Sequence, residues 1–221
     1  MKSLVISPHP DDEVLGVGGT LLKRKKNGND IAWLIVTKMS EAHGWEKKQI
    51  DLRKDEIKKV SKFFGFSNVY QLNFPTTKLD TIPKSILVKN ISDVFKAFKP
   101  YEIFVPHLSD VHSDHKVISD IISTCTKNFR YPFIKRILAY ETISETEYNL
   151  NNSIKFKPNY FEDITNFLSK KIKVMNIYKS EISKFPFPRS NVSIDAQSKW
   201  RGTFVGVEAA EAFELLKQIS K

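Results

Sequence analysis

Two short stretches of this 221-residue chain hold side chains suited to chemistry rather than packing. The first is Ser7-Pro8-His9-Pro10-Asp11-Asp12-Glu13, followed at once by Val14-Leu15-Gly16-Val17-Gly18-Gly19. The second is Pro106-His107-Leu108-Ser109-Asp110-Val111-His112-Ser113-Asp114-His115, which holds three of the five histidines. Imidazole nitrogens mixed with carboxylate oxygens are the donors of a catalytic metal that keeps one position open for water. Such a metal lowers the pKa of its water towards ~7 and polarises a carbonyl, which brings amide hydrolysis within reach near neutral pH. His9, Asp12 and one of His112 and His115 would supply the donors, and Asp11, beside a ligand but pointing elsewhere, is placed as general base. The remaining histidine would protonate a leaving nitrogen or stabilise an oxyanion. Spacing does not choose between His112 and His115. Cys125 is the only cysteine, which excludes a thiolate cage and an intrachain disulfide.

The two stretches lie some hundred residues apart, so the fold must bring them together. Apolar runs around Leu4–Ile6, Ile31–Val36, Asn68–Leu72, Glu102–Val105 and Lys135–Ile143 read as strands. Helical patterns fall between them: from Val14 to a stop at Gly28, Gln49–Phe64, Pro83–Phe98, and from Asp114 or His115 onward. This alternation predicts a doubly wound α/β fold with a mostly parallel sheet in the order 3-2-1-4-5. Strands one and four are then neighbours, and the loops leaving their carboxyl ends lie side by side at the switch point. Beyond Ser144 the pattern loosens into a polar stretch with Asn149, Asn151 and Asn152, then a helix over about Thr165–Ser183. A Pro-interrupted loop at Phe185–Arg189 and a last helix over about Ala209–Ile219 follow, all within one domain spanning 1–221.

Composition excludes some classes. With 41% apolar and 27% charged residues the chain is neither disordered nor membrane-spanning, and no apolar run reaches the ~18 residues a span needs. The N-terminal residues lack a secretory pattern, so a cytoplasmic protein is expected. A net charge of +10 favours an anionic partner: a phosphorylated sugar, a nucleotide-sugar, a membrane surface contacted peripherally, or nucleic acid. No aromatic-interleaved basic motif supports nucleic acid, and self-association is compatible with the sequence. Lys23-Arg24-Lys25-Lys26 reads as a solvated helix end. His43 and His107 read as surface or hydrogen-bonded residues, and Arg53, on a lysine-rich helix, as solvated. The glycine cluster reads as close helix packing, because it lacks the G-x-G-x-x-G spacing and follows two carboxylates that repel pyrophosphate. Two rivals to metal-assisted hydrolysis are a two-His, one-carboxylate iron oxygenase and a nucleic-acid-binding protein with a structural metal.

The sequence resembles the LmbE/PIG-L family of zinc-dependent N-acetylglucosaminyl de-N-acetylases in Pro8-His9-Pro10-Asp11-Asp12-Glu13 and in Asp110-x-His112-x-Asp114-His115. Weaker likenesses are Arg53-x-x-Glu56 with Phe64-Gly65, Tyr140-Glu141, and Ala210-Glu211-Ala212-Phe213. The resemblance implies a Rossmann-like three-layer fold and hydrolysis of the N-acetyl group of an amino sugar or its conjugate, N-acetylglucosamine-type, releasing acetate. It implies Zn2+, or another divalent metal in its place, held by His9, Asp12 and His115, with Asp11 as general base. His112 would then face the oxyanion or leaving amine with Asp114 as its charged partner, and Arg53 would contact substrate. One departure is Thr37-Lys38-Met39-Ser40-Glu41, where many members carry Thr-x-Gly-Glu, so Glu41 is displaced. The segments near Asn151 and from Phe185 to Trp200 follow no family pattern and are expected to set the aglycone.

Overall fold

Strand β1 (Lys2–Ser7) is buried in all but its first residue, as a strand covered on both faces must be. It pairs in parallel with β2 (Asp30–Lys38) on one side and β4 (Glu102–Pro106) on the other. Parallel pairing continues outward to β3 (Asn68–Pro75) and β5 (Arg136–Tyr140). This computed structural model describes residues 1–151 and 153–220, so Asn152 of the polar stretch lies outside the described residues. Among the described residues the full sheet runs β3-β2-β1-β4-β5-β7-β6, where β6 (Tyr160–Asp163) and β7 (Ala210–Gln218) are antiparallel additions.

The expected order 3-2-1-4-5 is therefore present, extended at one edge. Side-chain alternation along the strands divides the core into two layers. Leu4, Ile6, Leu34, Ile103 and Val105 face α3 (Lys84–Phe98) and α4 (Ser113–Cys125). Val5, Trp33, Phe104 and Leu138 face α1 (Asp12–Lys26) and α2 (Lys47–Phe64). The result is a three-layer α/β fold. None of the described helices is long and apolar enough to cross a membrane.

Two C-terminal expectations are corrected, and one further element is present. The segment expected as a last helix, Ala209–Ile219, is mostly strand β7. Its Ala, Glu and Leu residues favour helix intrinsically, but the open edges of β5 and β6 supply a ladder, and tertiary pairing overrides propensity. The helix expected over Thr165–Ser183 is confined to α5 (Leu168–Met175), because the chain turns there to bury Tyr178 completely beneath α1. Helix α6 (Asn191–Thr203) was not anticipated. Its buried face is Ile194, Ser198, Arg201 and Gly202, too polar to show an apolar period, although Ser190 caps it by accepting from the Ser193 amide at 3.1 Å.

The basic run at the end of α1 is corrected in part. Arg24 is 6% exposed, donates to Glu102 at 3.0 and 3.3 Å, and also pairs with Glu162. Lys23 pairs with Glu162 at 2.9 Å. These bonds tie α1 to strands β4 and β6, so part of the run is an internal brace rather than a solvated terminus.

Candidate active site

Adjacency of β1 and β4 brings the two chemically loaded loops together. The turn after β1 is held by Thr37, whose amide and hydroxyl both donate to the Pro8 carbonyl, at 3.1 and 2.7 Å. The His9 amide donates to Asp12 Oδ2 at 2.8 Å. Asp11, the residue before α1, has a φ of 135°, a region strained for any side chain. Its carbonyl accepts from the amides of Val14 and Leu15 at 2.9 Å, and its amide donates to Glu13 Oε2 at 3.0 Å. Glu13 is fully buried, burial pushes its carboxyl up to about 8, and Tyr178 donates its hydroxyl to Glu13 Oε1 at 2.6 Å.

His9, Asp12 and His115 converge: His115 Nε2 lies 3.3 Å from both His9 Nδ1 and Asp12 Oδ1, and His9 Nδ1 lies 3.8 Å from Asp12 Oδ2. The opposite ring nitrogens are each engaged by a buried carboxylate. His9 Nε2 meets Asp114 at 2.9 Å and His115 Nδ1 meets Asp110 at 2.8 Å. A histidine whose far nitrogen is held by a carboxylate is oriented to offer its near nitrogen to a metal. Two nitrogens and one carboxylate oxygen within 4.8 Å of one another, in a buried pocket, thus fit a divalent cation. A second trio, His9, His112 and Asp114, also converges. There, however, Asp114 already accepts from the amides of Thr77 and Leu79, at 2.7 and 2.9 Å, and His112 Nδ1 accepts from the Asp114 amide at 3.1 Å.

The Asp114 carboxylate thus meets His9 directly, while its amide donates to His112. Electrostatics follow the same geometry. Burial would raise Asp12, yet His115 and His9 outweigh it and hold the carboxyl down at about 2. Burial raises Asp11 well above the usual carboxylate range, and the neighbouring Asp12 charge raises it further. Burial, with His9 and His115 alongside, pushes His112 down to about 4, so it is neutral at pH 7. With its Nδ1 accepting a hydrogen bond, the neutral ring carries its proton on Nε2.

A cavity of about 220 Å³ opens over this cluster, lined by His9, Asp11, Asp12, His112 and His115 and, further out, by Arg53, Trp45 and Met39. Arg53 is not solvated. It is 8% exposed, donates to the Pro10 carbonyl at 2.7 Å and to Ser180 at 3.0 Å, and pairs with Glu56 at 3.0 Å and with Glu181. Arg189 reaches the same Glu181 at 3.3 Å and Ser144 at 3.0 Å. Glu41 is exposed and does not line the cavity, whereas His107 is buried and bonded to Ser109 at 2.6 Å and Glu214 at 3.0 Å. Sequence reasoning gave no role to Asp110, although its place in the histidine loop was a signal. Thr142, Glu145 and Glu181 also line the cavity, and no local pattern marked them, whereas Arg189, also in the lining, lies in the segment expected to meet the substrate.

Residues 4–126 match the model of the PIG-L family, described as GlcNAc-PI de-N-acetylase. The chain belongs to the PIG-L family. The match spans β1 through α4 and so includes His9, Asp11, Asp12, His112 and His115. As a PIG-L member the chain is a metal-dependent de-N-acetylase, an amide hydrolase. It is 26% identical over 195 residues to a diacetylchitobiose deacetylase of Thermococcus kodakarensis, covering 81% of this chain and 70% of that protein. Among solved structures it is similar to the N,N'-diacetylchitobiose deacetylase from Pyrococcus horikoshii in complex with its inhibitor MPG. That likeness has a TM-score of 0.79 and 22% identity, covering 98% of this chain and 84% of that one. It is also similar to GalB, the 4-carboxy-2-hydroxymuconate hydratase from Pseudomonas putida KT2440, with a TM-score of 0.74 and 16% identity over 100% of this chain and 98% of that one. These two likenesses show a shared fold over nearly the whole chain.

Proposed function

We propose that the chain, acting as one domain over 1–221, hydrolyses the N-acetyl group of an amino sugar or its conjugate, of N-acetylglucosamine type. Zn2+, or another divalent metal in its place, would be held by His9, Asp12 and His115. The observation that carries this reading is the convergence of those three side chains, with both histidines oriented by buried carboxylates and Asp11 beside them. When bound, the metal supplies Lewis acidity towards a water and towards the acetamide carbonyl.

The rest falls to the chain's own groups. Asp11, whose carboxyl is raised by burial above the usual carboxylate range, removes a proton from the attacking water as the water oxygen bonds to the acetyl carbon. The Nε2–H of neutral His112 donates to the carbonyl oxygen as negative charge grows there. The C–N bond then breaks, the nitrogen takes up the proton held by Asp11, and acetate and a free amine leave. Arg53, fixed by Glu56 and Glu181, positions the sugar, and Lys38 and Lys54 at the cavity rim suit a conjugate carrying negative charge. The test is acetate release by metal-loaded protein over a panel of N-acetylated sugars, nucleotide-sugars and glycolipids. Metal-dependent release from at least one supports the reading. Folded, metal-loaded protein that releases none from the panel overturns it.

A further inference from the structure

Two residues of the cavity wall, set apart from the metal-binding cluster, carry polar side-chain atoms that no group among the described residues engages. Thr142 is 2% exposed, yet its Oγ1 has no hydrogen-bond partner among the described residues. Glu145 lines the same cavity, and its carboxylate makes no hydrogen bond among the described residues. Both stand on the connection between β5 and β6, outside the segment matched by the family model.

Their backbone is nonetheless firmly set. The Glu145 amide donates to the Thr142 carbonyl at 3.0 Å, and the Val111 amide donates to the Glu145 carbonyl at 3.4 Å. Thr146 Oγ1 accepts from the Thr142 amide at 2.7 Å and donates to Asp110, the carboxylate that orients His115. Leaving a buried hydroxyl unsatisfied is costly, and here the residue that carries it lines, on a rigid loop, a cavity wall that also holds a free carboxylate, a combination suited to meeting a ligand.

We propose that Thr142 and Glu145 form a specificity subsite that takes a hydroxyl of the sugar, which donates to the Glu145 carboxylate and exchanges a hydrogen bond with Thr142 Oγ1. The ligand at this wall is a neutral polyhydroxylated ring, since a phosphate or carboxylate would be repelled by Glu145. This inference rests on the deacetylase reading for the identity of the sugar, but not for the existence of the subsite.

The experiment compares wild type, Thr142→Val, Glu145→Gln and Glu145→Ala. Two quantities are measured: steady-state acetate release from an N-acetylglucosamine glycoside and its monodeoxy analogues, and calorimetric binding of the corresponding free amino sugars. Bound metal and melting temperature are recorded for each variant. The expected result is a KM raised about 10-fold in Thr142→Val and Glu145→Ala, with kcat within about 3-fold of wild type and metal content unchanged. One deoxy analogue should lose affinity on wild type by a similar factor and lose nothing further on Glu145→Ala, and Glu145→Gln should fall between. Equal losses for all analogues, a fall in kcat alone, or no change overturns the subsite. If wild type releases no acetate but binds amino sugars more tightly than Glu145→Ala, the deacetylase reading fails and the subsite stands. Absence of any sugar binding to wild type overturns the subsite itself.

Discussion

Tyr178→Phe removes one oxygen atom and tests how the general base is held. Tyr178 and Glu13 are both 0% exposed, so no solvent replaces the 2.6 Å bond that the tyrosine hydroxyl donates to Glu13 Oε1. The phenyl ring keeps its packing and leaves no cavity of consequence. The cost is therefore that of an unsatisfied buried acceptor, about 1–3 kcal/mol. For a chain of this size each kcal/mol lowers Tm by roughly 2–4 °C, so a loss of about 2–12 °C is expected. The effect reaches the site because Glu13 Oε2 holds the Asp11 amide at 3.0 Å in a backbone conformation with φ of 135°. Such a conformation persists only where its surroundings over-determine it, at a cost of roughly 1–3 kcal/mol. Loosening Glu13 should lower kcat for acetate release and leave KM and bound metal unchanged. Denaturant and thermal melts together with steady-state kinetics measure both effects, with Tyr148→Phe, at 56% exposure, as control. The reasoning is refuted if Tyr178→Phe melts and turns over like wild type, or if the control loses as much.

Asp110→Asn keeps the shape of the residue that orients His115 but removes its charge, and should weaken metal binding by about 10–100-fold. Competition against a chromophoric chelator measures this, and an unchanged Kd would show that Asp110 does not orient the ligand. Glu162 is held below the ordinary Glu range: burial pushes it up, but Arg24 and Lys23 outweigh burial. Its contribution to stability is thus complete above the unfolded Glu pKa of about 4.3 and is lost as pH falls through its lower folded value. Urea midpoints of wild type should drop more steeply below about pH 5 than those of Glu162→Gln, and parallel curves would contradict the assignment.

The central sheet was legible because its strands are short continuous apolar runs between glycine- and proline-marked helices, and parallel strands buried on both faces leave that pattern. The pairing of the two histidine loops followed from the order of β1 and β4 alone. What the sequence concealed depends on long-range pairing. Strand β7 carries helix-forming residues and is a strand only because β5 and β6 flank it. Arg24 looks like one cation in a basic run, and its partners Glu102 and Glu162 lie 78 and 138 residues away. Asp114 neighbours His112 in sequence, yet its carboxylate meets His9 across 105 residues. Thr142 and Glu145 belong to a connection with no periodic pattern, so only the cavity reveals them.

Asp11 and His9 divide the proposed chemistry between them, Asp11 handling the proton and His9 holding the metal. Metal content by elemental analysis and acetate release should be measured side by side for wild type, Asp11→Ala and His9→Ala. The expected outcome is near-stoichiometric metal with almost no turnover in Asp11→Ala, and loss of both in His9→Ala. Wild-type rates of acetate release from Asp11→Ala, or full metal content in His9→Ala, would contradict it.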